Sequence, residues 1–171
     1  MRDATKEDLA KLVNMKRISE QELDWEPPEE YLKEFSKIVQ GIRKRDKSLV
    51  KVAEANGELV GYCIAVKDLH SYDGVVLDIT MDSAYLWELY VPRQLHRKGI
   101  GTKLLEEAIQ HLKSIGKTRC YLSENYWNEE GKAFWKKKGF TLRGYLLEKQ
   151  LRSSNRSTQR KLKRQNEISL I

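Results

Sequence analysis

The chain has 171 residues, a net charge of +7 and a hydrophobic share of 40%, which fits one soluble domain with a core of its own. No apolar run approaches the roughly 20 residues of a membrane helix, and the polar opening Arg2-Asp3-Ala4-Thr5 lacks the apolar core of a secretory signal, so a cytoplasmic location without a membrane partner is expected. Residues 152–171 hold six Lys and Arg against one Glu, so most of the excess charge belongs to a basic tail rather than to the body of the domain.

Residues 1–4 read as a short strand. Thr5-x-x-Asp8 is a capping pattern, and Leu9, Leu12 and Val13 give the helix after it an apolar face. Residues 19–30 hold six carboxylates and no Lys or Arg; such a stretch attracts a cation or simply favours a helix start. Pro27-Pro28 opens a second helix with Tyr31, Leu32, Phe35, Ile38, Val39 and Ile42 as its buried stripe. Strands are expected over 49–54 and 59–67, joined by a tight Asn56-Gly57 turn. Residues 75–81 suit an extra strand or a loop. Cys63 and Cys120 stand alone in apolar strands, and three scattered histidines give no metal spacing; reduced core thiols and no metal site are expected.

Residues 86–91 read as a buried strand with one acid, Glu88, inside it. Strict alternation sets Glu88 on the face of Leu86 and Tyr90, in apolar company. His96-Arg97-Lys98-Gly99-Ile100-Gly101 follows, and then a helix with Leu104, Leu105, Ala108, Ile109, Leu112 and Ile115 on one face. A helix start offers unpaired N–H groups and the positive end of the dipole. Glycines let an anion approach the backbone, and Arg97 and Lys98 add charge, which suits a pyrophosphate. A strand over 118–124, a helix over 128–138 and one or two closing strands over 141–151 complete the order. The domain spans 1–151 and the tail 152–171. The tail has a disordered composition over 153–164. It is a solvated tail, or packs on a second subunit in a homodimer, or touches nucleic acid by charge alone.

The stretch 96–101 resembles the Gln/Arg-x-x-Gly-x-Gly/Ala motif of the GNAT superfamily of acetyl-CoA-dependent N-acetyltransferases, with His96 departing at the first position. Residues 128–140 resemble a second motif of that family, with Gly131 in place of its Ala, Trp135 in place of its Tyr, and Gly139-Phe140 closing the helix. The resemblance implies a mixed α/β sheet whose central strands splay apart between flanking helices. It implies acetyl-CoA as co-substrate, bound by Leu89, Tyr90 and Val91 along its arm, by His96, Arg97, Lys98, Gly99, Ile100, Gly101 and Thr102 at its pyrophosphate, and by Asn128 and Trp135. Asn128 equally suits the N-cap of its own helix.

The implied reaction moves an acetyl group to a primary amine of a cationic small molecule, a protein lysine or an N-terminus. An ammonium must first lose a proton, and Glu88, then Glu124, are the candidate bases. Each also suits an ordinary structural carboxylate. Trp135 does not give up a proton as the family Tyr would. Tyr126 or Tyr90 then serves as acid, or the thiolate leaves unassisted. A non-catalytic acyl-CoA sensor of the same fold is the alternative.

Overall fold

Five strands form one sheet in the order β1 (Arg2–Asp3), β2 (Leu49–Ala55), β3 (Glu58–Val66), β4 (Ser83–Tyr90) and β5 (Arg119–Tyr121). Neighbours from β1 to β4 are antiparallel, and β5 runs parallel to β4. The computed structural model describes residues 1–45, 47–67 and 82–144. They fall into two units, Met1–Leu122 and the described part of Ser123–Ile171. The first holds the sheet with helices α1 (Leu9–Gln21), α2 (Glu29–Lys44) and α3 (Ile100–Ser114); the second holds α4 (Glu129–Lys137). The expected extra strand over 75–81, most of the closing strands and the tail lie outside the described residues.

The core follows from alternation along the strands. Val50, Val52, Tyr62, Ile64 and Val66 turn to one face, where Leu12 and Met15 of α1 and Phe35, Val39 and Ile42 of α2 cover them. Each such side chain contributes roughly 1.5–3 kcal/mol on burial. α3 packs on β2, β3 and β4 with Leu104, Leu105, Ala108 and Leu112 buried. Gly61 permits that approach: a Cβ there would lie 3.1 Å from Leu104 Cδ1 and 3.0 Å from the Tyr90 carbonyl. The β2–β3 turn has positive φ at both Asn56 (53°) and Gly57 (80°), the conformation a two-residue hairpin of this sequence calls for. Both cysteines are free, and burial pushes the Cys120 thiol up to about 11.

The pairing of β3 with β4 departs from strict alternation. Ile64 pairs with Glu88 and Ala65 with Leu86, so Trp87 is an extra residue, a β-bulge. Ile64 and Ala65 face opposite ways, and therefore so do Glu88 and Leu86. The expectation that Glu88 shares a face with Leu86 is corrected, because one inserted residue inverts the alternation from that point on. Glu88 instead joins Tyr62, Ile64 and Tyr90 on the α1–α2 side. β5 is also shorter than expected. It meets β4 over three residue pairs only, from Ser83 with Arg119 to Tyr85 with Tyr121. Residues 141–144 are not in a strand.

The start of α1 is tied to the sheet by Asp8. Its carboxylate accepts from the Thr5 N–H (2.7 Å), the return half of a capping box, and bidentately from Arg2 (2.6 and 2.9 Å). The Arg2 guanidinium holds the buried Asp8 carboxyl far below the usual carboxylate range, against the opposing effect of burial. A depressed value stabilises the fold above the unfolded pKa near 4, and that contribution is lost as pH falls below it. Asp8→Ala should therefore cost about 1–3 kcal/mol at pH 7. In urea unfolding the penalty should shrink by about 1 kcal/mol at pH 3. A penalty equal at both pH values would contradict the assignment.

Candidate active site

The outer half of β4 is where the sheet opens. β5 stops pairing at Tyr85, so among the described residues of the first unit no strand lies against Leu86–Tyr90 on that side. An extended partner could pair along this edge at Leu89 and Tyr90.

On the α1–α2 face of the same segment sits a chain of hydrogen bonds. Tyr31 Oη donates to Glu20 Oε1 (2.9 Å), and Lys16 Nζ bridges Glu20 Oε1 (2.7 Å) and Glu88 Oε1 (2.6 Å). Tyr62 Oη donates to Glu88 Oε2 (2.7 Å). Glu88 is therefore not in purely apolar company, since each of its oxygens has a donor. Burial opposes the charge on Lys16, but the Glu88 charge and the hydrogen bonds to Glu20 and Glu88 outweigh it and raise its pKa. The ammonium also lies 5.6 Å from the Tyr31 ring centroid and 5.7 Å from that of Phe35. Burial holds Tyr62 protonated, reinforced by Glu88, and pushes Tyr31 up to about 12. Tyr90 Oη is buried with no partner in hydrogen-bonding geometry among the described residues. Burial, and then the neighbouring Glu22, raise its pKa.

The acidic segment is largely committed within the chain. Glu20 is bound as above, Glu22 accepts from the Arg93 N–H (3.1 Å), and Arg17 holds Glu26 (3.3 Å) and Glu29 (2.6 Å). Its counter-charges, Lys16 and Arg17, lie just before it in sequence. Lys16 and Glu20 are four apart, a spacing that marks a helical ion pair. Trp25 packs edge-on against Tyr31, with ring centroids 4.9 Å apart. Lys16 and Tyr62 were not singled out from sequence; a lysine beside Leu12 and Met15 on the buried side of α1 was the available sign.

After β4 a short 3₁₀ turn, Arg93–Leu95, leads into the basic loop. His96 Nε2 donates to the Val91 carbonyl (2.8 Å), so the side chain at the departing position closes the loop onto the end of β4. Arg97 (φ 61°) and Gly99 (φ 81°) are both left-handed. Such alternation turns successive N–H groups toward one concavity, a nest for anions. Gly99 is the N-cap of α3, no side chain caps that helix, and a Cβ on Gly99 would meet no atom within 4 Å. Arg97, Lys98 and Gly99 are exposed. The shape and chemistry fit a phosphate group.

In the second unit, Glu124 is the hub. Its Oε1 accepts from the Asn125 N–H (2.8 Å) and Asn128 Nδ2 (3.0 Å), and its Oε2 from Trp135 Nε1 (2.7 Å). Asn128 Oδ1 accepts from the Gly131 N–H (3.0 Å), which is the N-cap role. Trp135 lies between Phe134 and Phe140, with centroids at 4.9 and 5.4 Å. Tyr126 is exposed and stacks edge-on with Trp127 at 5.0 Å. The two unusual residues, Gly131 and Trp135, thus belong to one arrangement. A Cβ on residue 131 would lie 2.4 Å from Glu124 Oε2 and 2.5 Å from Asn128 Nδ2.

A double-mutant cycle tests that link. Alanine is favoured over glycine in a helix by about 1 kcal/mol, whereas loss of a hydrogen bond to a charged group costs about 1.5–3 kcal/mol. Gly131→Ala should therefore destabilise the native chain by about 0.5–2 kcal/mol and cost less in a Glu124→Ala background, where only the approach to Asn128 remains. Urea unfolding of the four chains decides it; an equal cost in both backgrounds would break the link.

A groove of about 520 Å³ elsewhere in the first unit is lined by Asp3, Arg43, Lys51, Glu107 and His111, among others. It shares no residue with β4 or the loop. Its charges are spent internally, as in Lys51 with Asp3 (3.0 Å) and Arg43 with the Ala4 carbonyl (2.9 Å). Among the described residues there is no cluster of metal ligands, and no helix is long and apolar enough to cross a membrane.

A family model described as "Acetyltransferase (GNAT) family" matches residues 13–140. No curated protein matches the chain. Several solved structures share its fold. A ribosomal-protein-alanine N-acetyltransferase from Brucella melitensis is 24% identical with a TM-score of 0.65, over 84% of this chain and 85% of that one. The aminoglycoside N-acetyltransferase AAC(6')-Iy, in complex with CoA, is 14% identical with a TM-score of 0.65, over 89% and 98%. A protein described as a transcriptional regulator from Bacillus halodurans is 20% identical with a TM-score of 0.63, over 88% and 97%.

Proposed function

The chain belongs to the acetyltransferase (GNAT) family, and from that premise we propose that it moves an acetyl group from acetyl-CoA to a primary amine by direct attack. The acceptor class is a cationic small molecule, a protein lysine or an N-terminus. The observation that carries the reading is the end of β4 beyond Tyr85, where no strand lies against it among the described residues of the first unit, leading into the left-handed loop at the start of α3, which no side chain caps. An extended pantetheine fits beside Leu89, Tyr90 and Val91. The N–H groups of residues 97–102, with the Arg97 and Lys98 charges, fit its pyrophosphate. His96 serves by fixing the loop. Asn128 and Trp135 have their side-chain donors committed to Glu124 within the second unit.

Acetyl-CoA supplies an activated acyl group; the chain handles the proton. Glu88 accepts a proton from the acceptor ammonium, the freed amine attacks, a C–N bond forms, the C–S bond breaks as the thiolate leaves, and the second proton lost from nitrogen ends on that thiolate or in solvent. Glu124 is the weaker candidate base, since three donors hold its carboxylate at the foot of α4. Trp135 gives its N–H to Glu124, so it is not the acid. Tyr90 offers a buried hydroxyl without another partner, and Tyr126 an exposed one. Two carboxylates, Glu20 and Glu88, share one ammonium, Lys16, and that excess favours a cationic acceptor.

Calorimetry with acetyl-CoA, followed by thiol release with sisomicin, 1,4-diaminobutane, a lysine peptide and a peptide beginning with alanine, tests the reading. Binding with turnover of at least one amine supports it; no binding at millimolar acetyl-CoA removes it. The engagement of both Glu88 oxygens and of the Trp135 N–H favours a second reading, an acyl-CoA sensor. Tight binding without thiol release from any of the four would select that reading.

A further inference from the structure

Lys16 stands where the buried side of α1 calls for an apolar residue. Leu12, Met15 and Lys16 are the buried positions of that helix, and Lys16 is 7% exposed. A buried ion pair is weak evidence for stability, because a well-packed apolar replacement is often neutral or stabilising. What the lysine does locally is specific. It comes from a helix 72 residues earlier in sequence to hold one oxygen of Glu88, while Tyr62 holds the other.

We propose that Lys16 is a positioning residue that fixes the orientation and the ionised state of Glu88 for proton transfer; this rests on the acetyltransferase reading above. The titratable groups around the pair come from every element packed on it: Glu20 and Glu22 from α1 and its end, Tyr31 from α2, Tyr62 from β3 and Tyr90 from β4. The tyrosines are held protonated. Lys16 is the cation that contacts Glu88 directly; Arg93, whose N–H donates to Glu22 and whose charge acts on Tyr90, also faces the group. Removing Lys16 takes the contacting counter-charge from Glu88, which favours the neutral acid.

The test uses the full chain labelled with ¹³C at glutamate carboxyl carbons. The Glu88 signal is identified by its loss in Glu88→Gln and followed from pH 3 to 9 in the native chain, Lys16→Met and Lys16→Arg. The midpoint should rise by at least one pH unit in Lys16→Met and stay within half a unit in Lys16→Arg. In thiol release with the best amine of the four, Lys16→Met should lower kcat about 10-fold or more, move the acid limb of the pH profile upward and leave the acetyl-CoA KM within twofold. A purely structural lysine would lower the melting temperature without moving the midpoint or the limb. An unmoved Glu88 midpoint in folded Lys16→Met overturns the proposal. Should Lys16→Met not fold, Glu20→Gln and Lys16→Gln carry the same titration, and an unmoved midpoint in both overturns it equally. A failure of the acetyltransferase reading looks different: the native chain itself would release no thiol from acetyl-CoA with any of the four amines, whatever the titration shows.

Discussion

Gly99→Glu should weaken acetyl-CoA binding at least 100-fold in calorimetry, a loss of about 2.7 kcal/mol. Steric filling is not the cause, because a Cβ on Gly99 meets no atom within 4 Å. Two other effects add. At φ 81° an L-residue pays about 1–2 kcal/mol. A carboxylate beside a bound pyrophosphate adds repulsion of about 1–4 kcal/mol per charge pair at 4 Å, depending on exposure. Gly99→Ala carries the first effect alone and should cost less than about 10-fold; Arg97 already shows that this loop accommodates a left-handed non-glycine residue. Native-like affinity in Gly99→Glu would mean that the anion site lies elsewhere.

Glu88→Gln should lower kcat by about 10²–10⁴-fold while leaving the acetyl-CoA Kd within twofold. The amide keeps the size and one acceptor but takes no proton. It also removes a charge from a buried pair, which destabilises by several kcal/mol when one partner is lost. Activity must therefore be compared on folded protein, with circular dichroism and a melting curve alongside. The double variant Lys16→Met, Glu88→Gln removes an ammonium left with Glu20 as its one ion-pair partner, so it should recover stability and still fail to turn over. Native turnover in the single variant would clear Glu88 and move the search to Glu124.

Local patterns in the sequence carried far. The Asn56-Gly57 hairpin, the apolar stripes of α2 and α3, and the glycine-bearing loop are each properties of a few neighbouring residues, and each appears where its pattern placed it. The family follows from two such local motifs. Features that depend on pairing between distant segments were not legible. Nothing in residues 83–90 announces that Trp87 is the bulged residue, because a bulge is a relation between β3 and β4. The exchange of Tyr for Trp at 135 and of Ala for Gly at 131 could be noted separately; their common cause, Glu124, needed coordinates. The acidic stretch after Ser19 looked free because its partners, Lys16 and Arg17, lie outside the window that made it conspicuous.

The extra residue in β4 has a consequence for how this fold tolerates change. Leu86 and Glu88 lie on opposite faces although they are two apart, because Trp87 between them is the bulged residue. Exchanging the indole at position 87 for another side chain keeps the carboxylate beside Lys16. Deleting that single residue would make Leu86 and Glu88 neighbours in a regular ladder, each still opposite its present partner, so the acid would still face Lys16 and the main cost would be the indole's packing on Phe35. A single-residue indel at a regularly paired position of β4 should be far more damaging than one at position 87.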